Sequence, residues 1–142
     1  MKIRSLAISD YDQIVALWNR SELPFKPSGR DRKGAVQAQM AANPDFFLGA
    51  YEDDQLVGVV VATSDGRKGW INRLAVDPDF RGRGVAEALI AESEKVLHKH
   101  GISIFCALID DDNKSSMQLF KKCGYKEHHD IVYFRKKDSD RI

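Results

Sequence analysis

A chain of 142 residues suits one domain, 1–142, and at that size buries roughly 68–70% of its unfolded surface, so no disulfide or metal staple is needed. With 43% hydrophobic and 30% charged residues it has the composition of an ordinary globular protein, which leaves disorder only for the last residues, Lys136 to Ile142. Lys and Arg number 22 against 21 for Asp and Glu, so net charge gives no general pull toward nucleic acid or membrane.

The N-terminus, Met1-Lys2-Ile3-Arg4, lacks the apolar stretch of a signal peptide, and no run approaches the ~18 apolar residues of a membrane helix. Cys106 and Cys123 form no CxxC pair and no Cys/His cluster, which predicts reduced, structural cysteines, no metal and a cytoplasmic location.

In chain order, Lys2 to Ala7 alternates as a strand does. Ser9 fits a helix N-cap with Asp12 three residues on, and Tyr11, Ile14, Val15 and Trp18 follow at helical spacing. Pro24 and Pro27 stop that helix near Glu22. Leu23 to Gly29 reads as a loop, and Arg30 to Asn43 as a second, more polar helix. Phe46 to Glu52 and Leu56 to Thr63, joined by Asp53-Asp54, read as a hairpin, with Val57 to Ala62 apolar enough to be covered on both faces. After a turn at Asp65-Gly66, Trp70 to Val76 is the next strand, ended by Asp77-Pro78.

Gly82 to His100 reads as the longest helix, packed through Val85, Ala86, Leu89, Ile90, Ser93, Val96 and Leu97 and ended by a left-handed Gly101. Ile102 to Ile109 is a buried strand, and Asn113 to Cys123 a short helix ended by Gly124. Tyr125 to Lys126 and Asp130 to Arg135 carry the last strand signals. Strand, helix and strand over residues 70–109 form a crossover, which places parallel strands beside the earlier antiparallel hairpin. The fold class expected is α/β (α+β): a mixed, twisted sheet of about six to seven strands with helices on both faces.

The segment Leu74-Ala75-Val76-Asp77-Pro78-Asp79-Phe80-Arg81-Gly82-Arg83-Gly84-Val85-Ala86 is the most informative. A strand ends, Pro78 forces a turn, and two glycines lead into a helix whose first amides lack internal partners and point outward at its positive dipole end. Glycines at 82 and 84 remove the Cβ atoms that would keep a phosphate away, Ala86 is small, and Arg81 and Arg83 add planar donor forks. The dipole end contributes about 0.3–1 kcal/mol, but each hydrogen bond to a charged group contributes ~1.5–3 kcal/mol, so three or four amides suffice to hold a pyrophosphate. A Walker-type site is excluded because no G-x-x-x-x-G-K-S/T occurs, and a dinucleotide fingerprint because the third glycine is missing and the motif follows several strands.

On these residues the chain resembles the GNAT superfamily of N-acetyltransferases. Arg81-Gly82-Arg83-Gly84-Val85-Ala86 matches the R/Q-x-x-G-x-G/A signature, preceded by Leu74-Ala75-Val76 and Asp77-Pro78. Asn113 through Leu119-Phe120-Lys121-Lys122-Cys123-Gly124-Tyr125 is similar to the second family stretch, N-x-x-A-x-x-L-Y-x-x-x-G-F. The resemblance covers residues 2 to about 135. It implies a GNAT-like sheet, acetyl-CoA as co-substrate with no metal, and direct attack of an amine on the thioester. Leu74, Ala75 and Val76 would pair with the pantetheine arm, the Leu74 amide would polarise the thioester carbonyl, and Arg81 to Ala86 would hold the pyrophosphate. Asn113, Ser116 and Phe120 would lie along the cofactor, although Asn113 also suits a helix cap.

The chain departs from the family where Phe120 takes the place of the tyrosine that protonates the departing thiolate, and Leu108 and Trp70 to Arg73 offer no acid. Water, Tyr125 or Tyr133 would then supply the proton, and Glu22, Asp110, His128 and His129 are candidate bases, although such groups are mostly solvated. The acceptor pocket implied lies at the first helical pair and the last strands. There Lys26, Arg30 and Arg32 suit either a small amine bearing an acidic group or simply a solvated basic loop. The partners implied are acetyl-CoA and an amine acceptor, with a homodimer allowed and neither nucleic acid nor membrane. Competing readings are a non-catalytic acyl-CoA-binding module and a protein N-acetyltransferase.

Overall fold

The computed structural model describes residues 1–140 and Ile142; Arg141, within the stretch expected to be disordered, lies outside the described residues. One five-stranded sheet, in the order β1-β2-β3-β4-β5, organises the chain. Its strands are β1 (Lys2–Ser5), β2 (Phe47–Glu52), β3 (Gln55–Ser64), β4 (Gly69–Val76) and β5 (Phe105–Cys106). The first four pair antiparallel, and β4 pairs parallel with β5, as the crossover predicts. Asp53, at φ 52°, and Asp54 make the two-residue hairpin turn between Glu52 and Gln55.

Helices α1 (Tyr11–Arg20) and α2 (Lys33–Ala42) pack on one face of the sheet, and α3 (Val85–Lys99) and α4 (Lys114–Lys122) on the other. Leu56 to Ala62 of β3 are buried without a break, because both faces of that strand are covered. One core gathers Leu48, Val57, Val60, Leu89, Ile90, Leu97 and Phe120; the second gathers Ile14, Leu17, Trp18, Val36, Phe47, Val59 and Val61. The long helix lies directly on the strands: a Cβ at Gly58 would fall 2.8 Å from Leu89 and Val85 side-chain atoms. Gly101, at φ 82°, ends α3 as expected.

Five expectations are corrected. The sheet has five strands among the described residues, not six to seven. The predicted strand Ile102–Ile109 pairs only at Phe105 and Cys106, opposite Gly69 and Trp70. Since β5 leaves its neighbour there, Tyr125–Lys126 and Asp130–Arg135 meet no ladder to extend, and Ile131, Val132, Tyr133 and Phe134 stay exposed despite their strand-forming composition. The entry into α1 is organised by Asp10 rather than Ser9: its carboxylate accepts the Ala7 amide at 2.8 Å and pairs with Arg4 at 3.2 Å. Arg30 to Arg32 lie in the turns before α2, not within it.

Burial pushes the Asp10 carboxyl up, but the Arg4 guanidinium and the Ala7 amide outweigh it and hold the group below its ordinary value. A lowered folded pKa means stability present above the unfolded value, about pH 4, and lost as pH falls through the folded one. Asp10→Ala is expected to cost about 1–3 kcal/mol at pH 7, chiefly from the lost amide bond. Urea melts should show the gap to the parent protein closing below pH 4; a gap independent of pH would contradict this assignment.

Candidate functional site

The site begins with an irregularity in β4. Val59 faces Ala75 and Val61 faces Asn72, so β4 carries one residue more than β3 across this interval. Arg73 takes a left-handed backbone, φ 52°, in the extra turn. A regular strand sends consecutive side chains to opposite faces, yet Asn72 and Arg73 both line one cavity on the α1/α2 side. The bulge also comes where the parallel ladder has just stopped, since the last pair is Trp70 with Cys106. Leu74 to Val76 therefore run on beside β3 without a partner strand on their other side among the described residues, leaving that edge of β4 open past the end of β5.

Beyond β4 the chain makes a short 3-10 turn, Pro78–Phe80, and reaches α3. Asp77 holds this passage: its amide donates to the Val57 carbonyl at 2.8 Å, its carboxylate accepts the Asp79 amide at 2.9 Å, and it pairs with Arg20 at 3.1 Å. Gly82 and Gly84 adopt φ 77° and 81°, conformations in which an L side chain is strained, and a Cβ built at either would meet nothing within 4 Å. The space over the turn is thus open toward the first amides of α3. Arg81 is exposed, Arg83 lies 4.9 Å over the Phe80 ring, Val85 is buried and Ala86 half-buried. Of the predicted group, Leu74, Ala75 and Val76 form the end of β4, Ala75 being buried in the core on the α1/α2 side, and Arg81 to Ala86 form the turn and first residues of α3. Asn113 caps α4, accepting the Ser116 amide at 3.2 Å.

Phe120 is buried in the core and stacks edge-on against Tyr125 at 5.0 Å. The Tyr125 hydroxyl donates to Glu94 at 2.6 Å, and burial together with that carboxylate pushes the phenol pKa far up. Tyr133 is exposed on the opposite side of the sheet, where it lines the cavity of about 360 Å³ with Arg135. Glu22 and Asp110 are exposed and do not line that cavity. His128 and His129 are exposed beside Asp130 and Glu127. Of Lys26, Arg30 and Arg32, only Arg30 lines the cavity; Lys26 donates to the Asp140 carbonyl and Arg32 to that of Gly29.

Sequence reasoning missed the group at the centre of the cavity. Asp31, 6% exposed, accepts the Lys26 amide at 2.7 Å and pairs with Arg73 at 3.1 Å. The Arg73 guanidinium lies 4.5 Å over the Trp18 ring. Burial lowers the Arg73 pKa, and Asp31 works against that effect. Residues 31 and 73 are far apart in sequence, and the one available signal was an arginine beside Asn72 in a largely apolar strand. Cys106 and Cys123 are free and half-buried, and among the described residues no group of three or more His, Cys, Asp or Glu could hold a metal. No helix among them is long and apolar enough to cross a membrane.

Comparison with known proteins gives concordant relatives. An acetyltransferase of Photorhabdus laumondii is 33% identical over 138 residues, 96% of this chain and 95% of that protein. One from Pectobacterium atrosepticum is 32% identical over 99% of both chains. Among solved structures, PaiA N-acetyltransferase from Thermoplasma acidophilum, in complex with coenzyme A, superposes with a TM-score of 0.76 at 22% identity, over 88% of this chain and 89% of that one. The enzyme AAC(6')-Iy, in complex with the bisubstrate analogue CoA-S-monomethyl-acetylneamine, superposes at 0.78 with 21% identity, over 96% and 97%. Residues 11–125 match the family described as the acetyltransferase (GNAT) family, and the chain belongs to that family of enzymes.

Proposed function

We propose that the protein transfers an acetyl group from acetyl-CoA to a primary amine of a small acceptor. The observation that carries this reading is the family match over residues 11–125, with the unpaired end of β4 leading into the left-handed glycines that begin α3. A pyrophosphate on the amides beyond Arg81 leaves the pantetheine arm to run along Leu74 to Val76, which brings the thioester to the bulge. Coenzyme A in the PaiA structure and the bisubstrate analogue in AAC(6')-Iy support it. The cavity of about 360 Å³ at the bulge supports a small acceptor, being near the lower end of the roughly 300–1,000 Å³ of ligand pockets.

In the reaction, the neutral amine attacks the thioester carbonyl, the Leu74 amide donates to the developing oxyanion, and the C–S bond breaks as the C–N bond is completed. The proton released by the amine ends on the departing sulfur. Phe120 has none to give, and the Tyr125 proton is already held by Glu94, so water carries it. The same two facts favour a second reading, a binding module that holds acyl-CoA without turnover. A panel of amines with acetyl-CoA separates them: free CoA thiol is expected for at least one small amine, and none for a module.

Gly84→Asp is expected to cost about 1–2 kcal/mol, because position 84 is left-handed, and to abolish the thermal shift given by CoA. A shift of the original size would remove the pyrophosphate from this turn. Phe120→Tyr is expected to raise kcat about 10-fold or more, with little change in affinity for CoA, by giving the thiolate an acid. Steady-state thiol release measures it, and an unchanged kcat would show that protonation of sulfur does not limit the reaction.

A further inference from the structure

The cavity beside the bulge carries more positive than negative charge. Arg30, Arg73 and Arg135 line it against one carboxylate, Asp31. That carboxylate is already engaged, by the Lys26 amide and by Arg73. Tyr133, Asn72, Gln39 and Thr63 complete the polar lining, and the Asn72 amide donates to Thr63 at 2.9 Å. Two of its lining residues, Trp18 and Arg73, also carry buried donors, Nε1 and Nε, without a hydrogen-bond partner among the described residues. Three guanidiniums against one engaged carboxylate leave an excess of positive charge, and Arg30 acts against the charge of Arg73, so the component this wall lacks is negative charge. Guanidinium forks match planar or tetrahedral oxyanions better than any other side chain does.

We propose that the acceptor amine carries an oxyanionic group, a carboxylate or a phosphate, which seats in this cavity among Arg73, Arg30 and Arg135. Arg73 directly precedes Leu74, so an acid held there presents an amine a few atoms away to the opening where the thioester lies. The inference rests on the acetyl-transfer reading and extends it to the substrate class. Asp31 complements the acid from the protein side, fixing one edge of Arg73 and keeping the guanidinium charged despite burial. Arg30 and Arg135 are exposed and supply the remaining charge from the rim.

The test compares three matched sets of small primary amines, bearing a carboxylate, a phosphate or a neutral carboxamide, with rates referred to the neutral amine. The expected result is a kcat/KM at least 10-fold higher for a charged set than for the carboxamides, carried mainly by KM and diminishing with added salt. The better of the two charged sets identifies the group. Replacing Arg73 would leave Asp31 buried and unpaired, so the variant used is Arg30→Gln with Arg135→Gln, both at exposed positions. It should lose most of the preference while keeping the thermal shift given by CoA. Equal turnover of charged and neutral sets, or a preference that survives the double substitution, would overturn the proposal. If no amine releases thiol, acetyl transfer fails on its own account. The cavity is then read by binding of the N-acetylated acids and amides to the CoA-loaded protein, where equal thermal shifts would overturn it.

Discussion

Everything that distinguishes this site depends on one extra residue in a central strand. Between Val59 and Val61 on one side and Ala75 and Asn72 on the other, β4 is one residue longer than its partner, and Arg73 absorbs the difference at φ 52°. A left-handed residue other than glycine costs roughly 1–2 kcal/mol. The conformation persists because Arg73 is held from the side, by Asp31 at 3.1 Å and by the face of Trp18 at 4.5 Å. Hydrogen bonds to charged groups contribute about 1.5–3 kcal/mol and a cation over an aromatic face about 0.5–2, which is enough to offset the strain. The clamp and the bulge are two descriptions of one arrangement.

Its consequences reach both faces of the sheet. On one, consecutive residues Asn72 and Arg73 enter the same cavity, which an unbulged strand would not permit. At the sheet's edge, β4 and β5 stay together for two pairs, and the unpaired end of β4 then leads to the α3 turn. The turn is braced independently, through Asp77, by Arg20 at the end of α1. A helix on one face therefore helps to fix the glycine turn that begins the main helix on the other. On the proposed function this links the halves that receive the two substrates.

Much of this was legible in the chain. The apolar run of β3, the hairpin at Asp53-Asp54, the amphipathic stripe of α3 and its stop at Gly101 are local signals, because a burial pattern repeats with the period of the element that carries it. The Arg81-Gly82-Arg83-Gly84 turn was legible for the same reason: the backbone conformation demands residues without Cβ, and the demand is written at those positions. The edge of the sheet was not. Ile102 to Ile109 and Asp130 to Arg135 have the composition of strands, but a strand also needs a neighbour, and composition does not report where β5 leaves β4. The spare phenol considered for proton delivery likewise proved to be bonded to Glu94, 31 residues away in sequence.

The sequence by itself determined the order of the elements, the two-sided sheet and the left-handed glycine turn that begins α3, since each follows from residues adjacent in the chain. Tertiary structure alone decided the bulge, the burial of Asp31 beneath Arg73 and the gathering of three arginines at one cavity. The reason is physical. A backbone held in a strained region is stable only through contacts with distant side chains, and a partner 42 residues away leaves no periodic trace in the sequence.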